Sequence, residues 1–158
     1  MASMVASLLP PHQGLLPNWL LLVSIVSVAN SAQAYATLTY TARVYSGTTS
    51  PSSKNSSLKP SPTTPNLTTV SPVTPLSART FGTWTLLSSI IRLYAAYNID
   101  DPVVYQLALW TYAVAGFHFF SEWLYFGTAR WGAGLAGPVF VSTGSLAWML
   151  SQWGWYVR

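Results

Sequence analysis

Long runs of apolar residues, separated by shorter polar segments, dominate this chain of 158 residues. Four of the runs are long enough to cross the hydrocarbon core of a bilayer, which is about 30 Å thick. They predict helices over 18–40, 79–98, 102–126 and 138–157. The second run contains a single charge, Arg92, between Phe81 and Tyr97. The pattern therefore predicts an all-α integral membrane protein, folded as a four-transmembrane-helix bundle in one domain.

The first run carries a row of small residues at helical spacing, Ser24, Ser27, Ser31 and Ala34. In lipid, such a row lets two helix backbones approach closely, and we favour packing inside the bundle over a partner-binding face. The triplet Ala32-Gln33-Ala34 resembles a signal-peptide cleavage site. A signal peptide also needs a basic n-region, and no base precedes Arg43, so we interpret the run as a retained helix.

Between the first two runs, the segment 46–75 is rich in Ser, Thr and Pro and has hardly any large apolar residues. This composition cannot bury enough surface to offset the entropy of ordering, so it predicts a disordered loop. The triplets that begin at Asn55 and Asn66 are formal glycosylation acceptors, which matter only if the loop faces a lumen.

The ends of the third and fourth runs carry turn and capping signals. Asp101 is a candidate N-cap, and Pro102 suits the first position of a helix. A glycine-rich turn is predicted over 127–137, with Pro138 beginning the last helix. Gly132, Gly134 and Gly137 spell G-x-G-x-x-G. A dinucleotide site would also need a preceding strand and a later acidic residue, so a tight interhelical turn is the favoured interpretation.

The composition agrees with a membrane protein. Charged residues make up 6% of the chain and hydrophobic ones 51%, whereas a soluble domain is about a quarter charged. The absence of cysteine excludes disulfides, thiolate metal sites and a cysteine nucleophile. The net charge of +4 comes with no cluster of bases and aromatics that would indicate nucleic acid.

The few charges also predict an orientation. The connection after the first run carries the bases Arg43, Lys54, Lys59 and Arg79, and the connection after the third run carries Arg130. The connection after the second run carries the acids Asp100 and Asp101 and no base. The positive-inside rule then places the first and third connections in the cytosol and both chain termini on the other face.

His118 and Glu122 lie four residues apart on one predicted helix face. Ionisable groups inside membrane segments are functional candidates, and this pair would suit an acid–base enzyme or a proton relay. A metal ion would need more ligands, and the only other histidine is His12. We therefore predict no metal and no cofactor.

A helical rise of about 1.5 Å per residue puts Arg92 and Glu122 at opposite depths, so they should not pair with each other. Structural ion pairs are favoured over catalysis for both groups. The predicted pairings are Arg92 with Asp100 or Asp101, and Glu122 with Arg79 or Arg130.

Five stretches, spread over all four runs, resemble the ergosterol biosynthetic protein 28 family, small membrane proteins of the endoplasmic reticulum. They are L-P-N-W-L-L-L-V-S-I-V-S-V-A-N-S from Leu16, L-S-A-R-T-F-G-T-W-T from Leu76, I-I-R-L-Y around Arg92, F-H-F-F-S-E from Phe117, and G-P-V-F-V-S-T-G-S-L-A-W-M from Gly137. The segment 46–75 departs from the family pattern, because it is longer and lower in complexity.

The resemblance implies a non-catalytic scaffold in the endoplasmic reticulum membrane that tethers the enzymes of sterol C-4 demethylation. Those enzymes are a sterol C-4 methyl oxidase, a sterol 3β-dehydrogenase/C-4 decarboxylase and a 3-ketosteroid reductase. Contact with the sterol C-24 methyltransferase is also associated with the family. No catalytic residues carry over, and the matching motif positions are candidate bundle or docking positions: Ser77, Arg79, Thr80, Gly82, Trp84, Arg92, His118 and Glu122.

Two other classes of protein remain as alternatives. A small membrane-embedded sterol enzyme, such as an isomerase, would use Glu122 with His118. A transporter would predict a polar pathway and internal repeats, and neither is evident in the sequence. The sequence leaves open which surface contacts which enzyme, whether the chain self-associates and whether it binds sterol itself.

Overall fold

The computed structural model describes residues 9–47 and 72–157, and within them the fold is all-helical, without strands. Its five helices are α1 (Leu16–Ala36), α2 (Thr39–Val44), α3 (Pro75–Tyr97), α4 (Pro102–Leu124) and α5 (Ala133–Tyr156). Most of the segment 46–75, with the Asn55 and Asn66 triplets, lies outside the described residues, so its predicted disorder stays a prediction.

Capping side chains define where α3 and α4 begin. Thr74 Oγ1 accepts the backbone N–H of Ser77 at 3.1 Å, and Ser77 Oγ accepts that of Thr74 at 2.9 Å. This capping box starts α3 four residues before the predicted position 79. Asp101 accepts the N–H groups of Val103 and Val104, as predicted, with Pro102 at the first helical position.

The last helix begins at Ala133, five residues before the predicted start at Pro138. The predicted glycine turn through Gly137 is therefore wrong, because Gly134 and Gly137 are helical. Pro138 is tolerated within the second turn, where its missing N–H leaves the carbonyl of Gly134 without the usual helical donor. Gly134 lies against the backbone of Arg43 in α2, where a Cβ atom would overlap the Arg43 carbonyl.

The first predicted helix is also divided. The chain becomes extended at Thr37, where φ is −145° and ψ is 155°, so α1 ends at Ala36. The short helix α2 follows and was not anticipated as a separate element. It packs against α5 and places Tyr45 beside α4.

The four long helices pack antiparallel to their neighbours, with α1 on α3, α3 on α4, and α4 on α5. At one end of the bundle, called here the termini end, lie the start of α1, the α3–α4 turn and the end of α5. At the opposite end, the loop end, lie α2, the start of α3 and the α4–α5 connection. Arg43, Arg79 and Arg130 all belong to the loop end, whereas Asp100 and Asp101 belong to the termini end.

The row of small residues on α1 faces α3. Ser24 Oγ donates to the carbonyl of Ser89 at 2.7 Å, and Ser31 Oγ donates to that of Gly82 at 2.6 Å. Gly82 makes the close approach possible, because a Cβ atom there would lie 2.9 Å from Tyr35 Cδ2. The row therefore serves packing inside the bundle.

Three helices, α1, α4 and α5, are long and apolar enough to cross a membrane. The helix α3 has 23 residues but is less apolar, because it contains Arg92 and several Ser and Thr residues. The protein is therefore an all-α membrane protein with three candidate spans in the described residues.

Buried apolar side chains form two clusters, one toward each end of the bundle. The termini-end cluster includes Leu20, Tyr105 and Met149, and the loop-end cluster includes Phe81 and Phe119. Buried polar side chains lie between them, so the interior has a polar layer; its members include Ser27, Ser88, Arg92, Thr111 and Ser142.

Candidate functional site

A cavity of about 280 Å³ adjoins this polar layer and touches α1, α3, α4 and α5; we call it the inner cavity. Most of its lining is apolar or aromatic, for example Val23, Phe81 and Val141. Its polar, non-aromatic side chains are Ser27, Asn30, Thr85, Ser88, Arg92 and Ser142. The cavity thus combines an apolar space with a single cation.

Arg92 is the centre of the polar layer, and its side chain is only 6% exposed. Nε donates to Thr111 Oγ1 at 2.9 Å, and Nη2 donates to the Thr111 carbonyl at 3.4 Å. Nη1 donates to Ser27 Oγ at 3.4 Å. The arginine therefore links α1, α3 and α4 through neutral partners.

The predicted pairing of Arg92 with Asp100 or Asp101 is wrong. Asp100 lies 3.4 Å from His12 Nε2, and Asp101 caps α4. Arg92 lies on the face of α3 that points into the bundle, whereas both acids lie in the α3–α4 turn. Helical depth alone could not reveal this difference in direction.

A second pocket of about 490 Å³ opens at the loop end, between α2, the start of α3 and the end of α4; we call it the loop-end pocket. His118 and Glu122 both line it, as the sequence predicted for a pair on one helix face. The structure gives each of them a hydroxyl partner from a different connecting segment.

His118 is enclosed by aromatic rings. Its Nε2 lies 2.6 Å from the hydroxyl of Tyr45. Its ring packs edge-on against Tyr45, Trp84 and Phe119, with centroids 5.3 to 5.8 Å apart. Burial and the nearby charge of Glu122 raise the pKa of the Tyr45 phenol well above its usual range. Tyr45 therefore stays a neutral hydroxyl at physiological pH.

Glu122 accepts a hydrogen bond from the Thr128 hydroxyl, and its backbone carbonyl accepts the N–H of Ala129 at 3.2 Å. The predicted ion pair with Arg79 or Arg130 is wrong, since neither guanidinium lies within salt-bridge distance of Glu122. The α4–α5 connection folds back onto the end of α4, so the Glu122 carboxylate is bonded to Thr128 and not to an arginine.

The eight motif positions fall into distinct places. Five line the loop-end pocket: Ser77, Thr80, Trp84, His118 and Glu122. Trp84 also lines the inner cavity with Arg92. Gly82 lies at the contact of α1 with α3, and Arg79 is exposed. Sequence reasoning missed Tyr45 and Thr128, because nothing local marks either one as a partner of α4.

Within residues 9–47 and 72–157, no group of three or more His, Asp or Glu side chains could hold a metal ion. The two ionisable groups of the loop-end pocket are each tied to a hydroxyl, and the buried cation is held by hydroxyl and carbonyl oxygens. Fold and cavities together define an α-helical membrane protein with a polar interior layer around a buried arginine.

The chain belongs to the ergosterol biosynthetic protein 28 family, as its sequence motifs indicated. The family model described as "Erg28 like protein" matches residues 16–147. The chain is 47% identical over 153 residues to ergosterol biosynthetic protein 28 of Candida albicans, covering 96% of both chains. It is 44% identical to that of Saccharomyces cerevisiae, covering 91% of this chain and 84% of the relative.

The likeness extends beyond fungi. The human ergosterol biosynthetic protein 28 homolog is 36% identical over 136 residues, which cover 85% of this chain and 82% of the relative. No solved structure matches the chain.

Proposed function

We propose that this chain is a non-catalytic scaffold of the endoplasmic reticulum membrane that acts in sterol biosynthesis. It would hold together the sterol C-4 methyl oxidase, the sterol 3β-dehydrogenase/C-4 decarboxylase and the 3-ketosteroid reductase, with contact to the sterol C-24 methyltransferase. The sterol pathway is supported by relatives that carry the name ergosterol biosynthetic protein 28 and match nearly the whole chain.

One observation carries the non-catalytic part of the proposal. His118 and Glu122, the best acid–base pair in the sequence, are bonded to Tyr45 and Thr128. These bonds fasten α2 and the α4–α5 connection to α4. A general acid or base must instead reach a proton on a substrate. The pair is therefore better suited to shaping the loop end than to turnover.

A scaffold for successive enzymes gains its effect from local concentration. Holding two enzymes together makes transfer of an apolar intermediate nearly intramolecular, without any new chemistry in the scaffold. All four long helices expose large apolar side chains, which suit contact with lipid and with helices of other membrane proteins; Ile25, Leu87, Trp110, Phe117 and Phe140 are examples.

The scaffold would cross the membrane four times, with α3 as the additional span. The length of α3, about 35 Å at the helical rise, is sufficient. It packs antiparallel between α1 and α4. Its charge, Arg92, is turned inward and hydrogen-bonded, which removes the main obstacle to a lipid environment.

The natural absence of cysteine makes the fourth span directly testable. Leu76→Cys and Asn98→Cys would place single thiols at the two ends of α3, both exposed in the structure. In sealed microsomes an impermeant maleimide should label only one of them, and detergent should make both reactive. Labelling of both thiols from the same side would show that α3 does not cross.

The scaffold role is tested by comparing sterol profiles in cells of the source organism. Cells without the protein are expected to accumulate 4-carboxy and 3-keto sterols. A double variant, His118→Ala with Glu122→Ala, expressed at wild-type abundance, should restore the normal profile. Recovery of the three enzymes with the tagged wild-type chain, and fractionation with an endoplasmic reticulum marker, complete the test.

A sterol enzyme is the second candidate, favoured by the loop-end pocket, which exposes His118 and Glu122 to a space of about 490 Å³. An enzyme would lose turnover by orders of magnitude in the double variant, so the same sterols would accumulate as in the null. An unchanged profile in the null itself would refute the sterol role altogether.

A further inference from the structure

The inner cavity holds a cation without a matching anion. Arg92 is within hydrogen-bond or salt-bridge distance of no carboxylate in the part of the chain that the structure describes. Its partners are the neutral Ser27 and Thr111. Removing a charge from water is unfavourable unless the charge is compensated, and neutral hydroxyls compensate it only in part.

The guanidinium of Arg92 also has N–H groups that make no hydrogen bond to the described residues. An arginine has five N–H groups in a planar fork, one on Nε and two on each Nη atom. The three hydrogen bonds of Arg92 use one on each nitrogen, and those from Nη1 and Nη2 are long, at 3.4 Å. One N–H thus remains on each Nη atom. A carboxylate has two oxygens that can accept hydrogen bonds from an arginine.

A second residue of the same cavity has a polar atom without a partner. Thr85 lines the inner cavity, and its hydroxyl oxygen is buried without a hydrogen-bond partner. Buried polar atoms are nearly always satisfied, so an unsatisfied hydroxyl in a residue that lines the same cavity as a cation without a carboxylate partner needs an explanation. A ligand with a polar head would supply the anion that Arg92 lacks.

The remainder of the cavity favours a ligand that is apolar apart from its head group. Its walls include Leu22, Val26, Phe119 and Val141. Arg92 lies five residues before the end of α3, about 8 Å along the helix axis, so a large hydrated head would have to be buried with it. A carboxylate is small and carries one negative charge, equal and opposite to that of one guanidinium.

We propose that the inner cavity binds a lipid with a single carboxylate, held by the two Nη atoms of Arg92, with its apolar body among the four long helices. A carboxylated sterol and a fatty acid share this chemistry. The choice of a sterol as the ligand is the only part that rests on the proposed function. If the ligand is a sterol, the scaffold would itself hold an acidic intermediate between two enzymes. Binding by Arg92 stands independently of that role.

The test uses the purified full-length chain in nanodiscs and measures equilibrium binding of labelled probes. The probes are cholenic acid and oleic acid, each compared with its neutral methyl ester. Hydrogen bonds to a charged group contribute about 1.5–3 kcal/mol, so each acid that fits should bind at least about tenfold more tightly than its ester. This comparison needs no variant and is therefore independent of folding.

Three variants then locate the site. Arg92→Lys keeps a cation but loses the fork, and should weaken acid binding about tenfold or more. Ala115→Phe would fill the cavity while leaving Arg92 in place, and should abolish binding of both acid and ester. Arg79→Gln removes an exposed arginine from the same helix and should leave affinity unchanged. Thermal unfolding of each variant checks that it is folded.

Preference for cholenic acid would identify a steroid ligand, and preference for oleic acid an acyl chain; either supports the site. Equal binding of acids and esters, or no binding at all, would overturn it. So would unchanged acid affinity in both Arg92→Lys and Ala115→Phe. The two proposals can fail separately. Absence of lipid binding in vitro would not contradict the scaffold proposal. A normal sterol profile in null cells would not contradict a positive binding result.

Discussion

The guanidinium of Arg92 lies over the ring of Tyr112, with Cζ 4.1 Å from the ring centroid. The tyrosine belongs to α4 and is fully buried. A desolvated cation over an aromatic face gains about 2 kcal/mol. The ring therefore supplies part of the stabilisation that a carboxylate would give in an ion pair, and it joins α3 to α4 near the middle of the bundle.

Tyr112→Leu should lower the stability of the purified protein by about 2 kcal/mol or more, because it removes the aromatic face under Arg92 and leaves a void. Tyr112→Phe is the matched control, since it keeps the ring. Thermal unfolding in detergent measures both. Equal loss in the two variants would show that the aromatic face contributes nothing.

Gly82→Ala should destabilise the bundle by about 1–3 kcal/mol, the usual cost of overpacking. The new methyl group would meet Tyr35 Cδ2 at 2.9 Å and the Ser31 carbonyl at 3.2 Å, and would force α1 from α3. Gly144→Ala is the control, because its Cβ would meet nothing within 4 Å. It should be neutral or stabilising, by about 0.5–1 kcal/mol, through helix propensity. The prediction fails if both variants unfold at the same temperature.

Ser24→Ala with Ser31→Ala should have a smaller effect than Gly82→Ala. Hydrogen bonds between membrane helices average about 0.6 kcal/mol, so losing the two bonds to Ser89 and Gly82 should cost about 1 kcal/mol. The backbone approach of α1 to α3 would persist, because Ala is no larger than Ser. A larger loss than in Gly82→Ala would mean that hydrogen bonds, and not close packing, hold the two helices together.

Tyr45→Phe should change how stability depends on alkaline pH. In the unfolded chain Tyr45 ionises near its ordinary pKa of about 10, whereas burial holds the folded pKa higher. Above pH 10 the unfolded state releases a proton that the folded state retains, so the stability of the wild type falls as pH rises. The variant lacks this loss, and its stability should fall less steeply from pH 10 to 11. Parallel unfolding curves would contradict the raised pKa.

Local features of the fold were predictable because their causes are local. The row from Ser24 to Ala34 and the cap at Asp101 depend on residues a few positions apart, and the structure confirms both. The start of α5 was predicted too late, because Pro138 suits a first turn by itself. Only the contact of Gly134 with Arg43 in α2 shows why the helix extends further back.

The partners of the ionisable side chains could not be predicted, since they depend on how each helix is rotated. The number of residues along each predicted helix correctly placed Arg92 and Glu122 at different depths in the bundle. It does not predict that Arg92 bonds to Thr111, or that the α4–α5 connection brings Thr128 to Glu122. Tyr45 reaches His118 from 73 positions away, through a short helix that local pattern did not separate from α1.

Gly47 and Pro72, the described residues on either side of 48–71, both lie at the loop end of the bundle. Gly47 is fastened by a hydrogen bond from its N–H to the Thr128 carbonyl at 2.9 Å, and Thr74 is fixed by its capping box. With both anchors held, doubling the intervening length adds only about 0.6 kcal/mol of closure entropy. We therefore expect a change in the length of this stretch, such as an inserted epitope or fluorescent reporter, to leave helix packing undisturbed.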